Sequence, residues 1–109
     1  MLVQDVGGWE GPAVGINGSF AVKDDCLVFE TGQVAMTPIL PAASRLERTS
    51  DGGLAIVLEL GGARDTVLLG RSFALAGDVI SATAARELSS QVIPDRCPST
   101  VLRTAGFRQ

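Results

Sequence analysis

The stretch that decides the fold is Cys26-Leu-Val-Phe-Glu-Thr-Gly-Gln-Val-Ala-Met-Thr-Pro-Ile-Leu40. It holds two apolar runs, Cys26 to Glu30 and Gln33 to Leu40, joined at Thr31-Gly32. A short glycine-containing connection between two such runs is a hairpin signal. Pro38 and Pro41 lack amide donors, so the second run is expected to end at a sheet edge there.

Upstream, Ala13 to Val22 reads as another strand, interrupted by Gly15 and Gly18. Glycine inside a strand marks a bulge or a close backbone approach, as at the corner of a closed sheet. Asn17-Gly18-Ser19 also matches a glycosylation sequon, but a kink is the better reading. Residues 1–12 are rich in glycine and are expected to form an irregular arm, packed down by Trp9. Residues 13–109 then make one domain.

Downstream, residues 42–50 are polar and read as a loop. Asp51-Gly52-Gly53 is a turn, and Leu54 to Leu60 is a nearly continuous apolar strand. Gly61-Gly62 turns the chain into Thr66 to Leu69. Arg71 to Leu75 follows, then a turn at Gly77-Asp78, then Val79 and Ile80. The one helix candidate is Ser81 to Val92. Ser81 or Thr83 caps it, and Ala84, Ala85, Leu88 and Val92 share a face. Pro94 ends it. Thr100 to Thr104 is a last strand, with Ala105 to Gln109 as a tail.

Turns at 8–12-residue spacing point to a small sandwich or barrel. The expectation is a mostly-β fold: a five- to six-stranded, partly open barrel, OB-like, with one short helix near residues 82–92. Composition agrees. Apolar residues make up 46% of the 109 and charged residues 19%, enough apolar material for a core. No apolar run approaches the roughly 20 residues of a membrane-spanning helix.

The net charge is −3, with Lys23 the sole lysine and the arginines scattered singly. No basic stretch favours nucleic acid, although arginines gathered on one face would. With no histidine and no tyrosine, the commonest general base and most zinc sites are missing. Two acids converging in a pocket would favour the rival reading, a carboxylate-based hydrolase. No residue set points to a metal or a cofactor.

Cys26 and Cys97 are the only cysteines. An even pair fits a bridge, and by count alone two buried free thiols fit as well. Context favours the bridge, because neither cysteine has the neighbours of a reactive thiolate and Cys26 follows two acids.

Several short motifs resemble small bacterial domains of exported proteins and lipoproteins of unknown function. They are Gly18-Ser-Phe-Ala-Val ahead of Cys26-Leu-Val-Phe, then Pro38-Ile-Leu-Pro41. Leu69-Gly-Arg-Ser-Phe-Ala-Leu-Ala-Gly77 and Pro94-Asp-Arg-Cys-Pro98 follow. The resemblance covers residues 15–104. It implies a compact β-barrel whose two cysteines pair outside the cytoplasm, and it supplies no catalytic residues. The opening Met1-Leu-Val-Gln-Asp5 does not read as a signal peptide. A cytoplasmic protein and a mature exported chain both fit that opening.

The functional expectation is a non-catalytic extracytoplasmic module that binds a protein, peptide or oligosaccharide, or braces an envelope assembly. Its expected surface is Trp9, Pro38, Pro41 and the segment from Arg45 to Arg48.

Overall fold

The computed structural model describes residues 2–4, 14–60 and 63–108. Among the described residues, nine strands and one helix run in this order: β1 Leu2–Val3, β2 Val14–Lys23, β3 Cys26–Glu30, β4 Ala35–Leu40, β5 Arg45–Arg48, β6 Leu54–Leu60, β7 Ala63–Leu68, β8 Phe73–Ile80, α1 Ala82–Leu88 and β9 Val101–Arg108. The fold is mostly β with one short helix, as the sequence leads one to expect. Six strands pair in the order β1-β4-β3-β2-β8-β9, and β9 returns to pair with β4. That last pairing is parallel and closes a ring of five strands, β4-β3-β2-β8-β9, of the small OB-like type. β5, β6 and β7 form a separate antiparallel sheet.

The ring closes because β2 serves two partners. Val14 to Gly18 pair with β8, and Ser19 to Lys23 pair with β3. Gly18 sits at the hand-over. A Cβ there would press on the carbonyl of Glu30 and lie 2.7 Å from Cζ of Phe29. Only glycine lets the two strands and the ring of Phe29 come this close. Gly77 does the same across the sheet, where a Cβ would lie 2.6 Å from Arg103 O.

Strand alternation sorts two cores. Phe20, Phe29, Leu40, Leu75 and Leu102 pack inside the ring, joined by Ile56 and Leu58 from the three-stranded sheet. Phe20, Phe29 and Phe73 meet at centroid distances of 5.4 to 5.7 Å. On the other side, Ile39 and Val101 pack with Leu2 and with Ala85 of α1. Thus α1 covers the outer face of the β4–β9 closure. Ser81 caps it, its Oγ accepting from the amide of Ala84 at 3.1 Å.

Several expectations need correction. The polar stretch 42–50 contains a strand, β5, paired with β6 from Arg45↔Val57 to Arg48↔Leu54. Its charged residues suit a short edge strand and mask it in the sequence. Gly77-Asp78 is not a turn: β8 runs through it with a bulge at Ala76/Gly77. The helix stops at Leu88, well short of Val92, which is 86% exposed. β9 extends through residues expected to be a tail, as far as Arg108.

Pro38 is not at an edge. Thr37 donates its amide to Thr100 O at 2.9 Å, toward β9. Alternation turns position 38 to the opposite side. There the pairing with β3 ends at Met36, and the pairing with β1 begins at Ile39. Pro38 falls in the interval, so its missing donor breaks no ladder bond. Within the expected irregular arm, Leu2 and Val3 form β1 on β4, while Trp9 lies outside the described residues.

Candidate functional site

The residues that come together lie at one end of the ring, where the β2–β3 turn meets the segment between α1 and β9. Lys23 pairs with Cys26, which leaves Asp24-Asp25 as a two-residue turn. Both aspartates have positive φ, 51° and 62°. Such turns match the twist of a hairpin, and aspartate tolerates this conformation better than most residues. The turn is fixed from outside as well, because Arg96 Nε donates to Asp24 O at 2.9 Å.

Cys26 and Cys97 form a disulfide, with Cα atoms 5.7 Å apart across 71 positions of sequence. Cys26 is buried, at 4% exposure, because it opens a strand whose first four residues are all buried. Cys97 is half-buried. The bridge therefore ties a rigid hairpin to residues 89–99, a strap outside both helix and strand. Further bonds hold that strap. Val3 N donates to Gln91 Oε1 at 2.7 Å, and Thr37 Oγ1 donates to Pro98 O at 2.7 Å. Cys97 N donates to Pro94 O at 2.9 Å, closing a turn between the two prolines.

The strap is the shared wall of two open depressions. One, of about 220 Å³, lies toward the sheet and is bordered by Leu2, Leu27, Thr37 and both cysteines. The other, of about 600 Å³, lies toward α1 and is bordered by Ala82, Arg86, Ser89, Ser99 and Cys97. Asp25 borders the first and Asp95 the second, so neither brings two carboxylates together. Among the described residues there is no cluster of histidine, cysteine and carboxylate able to hold a metal.

Of the surface expected from sequence, Trp9 lies outside the described residues. Pro38 and Pro41 are buried, and Arg45 and Arg48 lie on opposite faces of β5. Arg45 Nε pairs with Glu47 Oε1 at 2.7 Å. Arg103 lies 3.9 Å from Asp78 on the ring, and Arg86 and Arg96 lie at the strap. Gln91, Arg96 and Thr37 were not singled out by sequence. They act through long-range contacts that leave no local pattern. The prolines flanking Cys97 were the readable signal for the strap.

Among the described residues, Asp51 has a carboxyl displaced by its hydrogen bonds. Thr49 Oγ1 and the amide of Gly53 both donate to Asp51, which holds its carboxyl below the usual aspartate range. It lies in the β5–β6 turn, away from the strap. Among the described residues no helix is long and apolar enough to cross a membrane. Comparison with protein-family models, with curated proteins and with solved structures gives no match for this chain.

Proposed function

We propose that this chain is a non-catalytic, extracytoplasmic binding module that takes its partner at the strap end of the ring. The observation that carries the reading is the Cys26–Cys97 bridge, which joins the β2–β3 turn to the α1–β9 strap. In OB-like folds the ligand loops are the first hairpin turn of the ring and its last connection. Here those are the two segments the bridge unites. The support is an analogy of architecture, and the side chains at this end give it chemical content. Val92 projects from a strap pinned at Gln91, Arg96 and Cys97, so presenting it costs little ordering entropy.

The extracytoplasmic assignment rests on the bridge, because such bonds persist in oxidising compartments. The resemblance to exported bacterial domains supports it too. A peptide, a protein loop or an oligosaccharide suits the mixed apolar and hydroxyl lining of the depressions, and their two acids and two arginines favour neither sign of charge.

Two measurements test the reading. Acid quenching and alkylation of the protein in its native cells reports the thiols. Recovery without alkylated cysteine supports the compartment, and two alkylated cysteines overturn it. For binding, amide spectra of the oxidised protein are followed with chitotriose, maltotriose and short apolar peptides. Shifts clustered at 24–26 and 89–99 are expected from at least one of them. Saturable shifts elsewhere, or none from the whole set, remove the strap as the binding end.

A further inference from the structure

We propose that the Cys26–Cys97 bridge is a latch: reduction by an external dithiol frees the 89–99 strap while the five-stranded ring stays folded. The proposal adds regulation to the binding end described above and depends on that reading for its purpose. Its chemistry stands apart from that reading.

Three features carry it. First, the bridge is reachable. Both depressions border Cys97, and one borders Cys26 as well. Cys97 is half-buried, whereas Cys26 is 4% exposed, so an incoming thiolate meets Cys97. Second, the strap has open volume on both sides, toward the sheet and toward α1, so it has room to move. Third, the ring does not use the bridge for closure. β4 and β9 pair through Thr37↔Val101, Pro38↔Leu102 and Ile39↔Arg103, beyond the end of the strap. Besides the disulfide, the contacts from the strap to the hairpin and sheet include single hydrogen bonds from Val3, Thr37 and Arg96 and the packing of the partly buried Ile93. Contacts of that kind belong to the part of a structure that opens locally.

The chemistry balances. A thiolate of the dithiol attacks Cys97 Sγ, and a mixed disulfide forms as the Cys26–Cys97 bond breaks. The electron pair leaves on Cys26 Sγ, which takes up a proton. The second thiol of the reductant, deprotonated, attacks the mixed disulfide and expels Cys97 thiolate, which is protonated. The reductant departs as its own disulfide, having supplied two electrons and two protons. Once free, the strap lifts Ile93 from Leu2, Ile39 and Val101, the apolar patch it packs against. The two depressions then merge into one groove floored by that patch.

The test is hydrogen exchange of the oxidised protein and of the same protein under dithiothreitol. Amides at 89–99 are expected to exchange at least about tenfold faster after reduction, near the rate of an unstructured chain, while those of β2, β3, β8 and β9 stay slowed, their protection falling together by no more than the roughly thousandfold that the lower global stability entails. Exchange of the ring amides at unstructured-chain rates would overturn the proposal, since the ring would then need the bridge to fold. Unchanged exchange at 89–99 would overturn it too, as would a bridge that dithiothreitol does not reduce in the folded protein. The variant Cys26→Ala/Cys97→Ala, measured without reductant, should reproduce the reduced pattern; an oxidised-like pattern in it would count against the latch. Failure of the binding reading is seen separately, as absent shifts in the oxidised protein, and leaves this exchange result standing.

Discussion

At the scale of single residues, Gly18 makes the sharpest demand. Its missing side chain is what lets β2 leave β8 and cross to β3 with the ring of Phe29 packed against its backbone. Gly18→Ala forces overlap with a carbonyl and an aromatic ring in a packed interior. The expected cost is about 3 kcal/mol, read from urea unfolding. Gly32 is the matched control, because a Cβ there meets nothing within 4 Å. Gly32→Ala is expected to stay within about 0.5 kcal/mol of the parent. Equal effects at the two sites would mean that the hand-over is not sterically tight. Asp51 makes a different demand, an electrostatic one. Its carboxylate accepts from Thr49 and Gly53, which lowers its folded pKa below the unfolded value. A depressed acid contributes stability above its unfolded pKa, and that contribution fades as pH falls through the folded pKa. The side-chain carboxyl signal of Asp51 should therefore titrate with a midpoint below about 3.9, the ordinary aspartate value. Thr49→Ala removes the larger cause and should move the midpoint back upward. A midpoint that stays put in that variant would assign the shift to some other group.

Elements are where sequence and structure diverge most instructively. Strands with alternating or continuous apolar residues were legible: β3 and β6 begin and end where their composition says. β5 was not, because Arg45, Glu47 and Arg48 charge both of its faces and only its pairing with β6 makes it a strand. β8 looked like two pieces because Gly77-Asp78 resembles a turn. The pairing with β9 continues through it, with Ala105 of β9 as the one extra residue between the pairs Ala76↔Gly106 and Gly77↔Thr104. The helix was extended too far because Val92 falls one turn beyond Leu88 on the same face. Periodicity continues there after burial has stopped, since Val92 packs against no core. At the strap, the cysteine and the flanking prolines were readable, but Val3–Gln91 and Arg96–Asp24 were not, because each joins positions far apart in sequence. The start of α1, by contrast, follows from one local rule. Ser81 supplies an acceptor to the amide of Ala84, and α1 in turn holds Ala85 against Ile39 and Val101. Ser81→Ala is expected to cost about 1 kcal/mol, and Ser81→Asp to restore most of it. The two variants should differ in thermal midpoint. Identical midpoints would remove the cap from the account of the helix.

For the molecule as a whole, closure and covalent linkage act on different states. The ring closes through β4 and β9, strands separated by most of the chain, and that closure stabilises the folded state by burying the two cores on either side of it. The disulfide spans 71 positions and acts chiefly on the unfolded chain, by removing conformations open to a linear one. Chain-entropy arguments put its worth at about 4 kcal/mol, a large share of a small domain's stability. The two contributions separate in a denaturation experiment. In Cys26→Ala/Cys97→Ala the native strands should persist while the unfolding free energy falls by about 4 kcal/mol. Because the unbridged chain expands further when unfolded, the dependence on urea should also steepen. A fall in stability with no steepening would place the effect in the folded state. The bridge would then act by holding the hairpin against the strap, and not by limiting the unfolded chain.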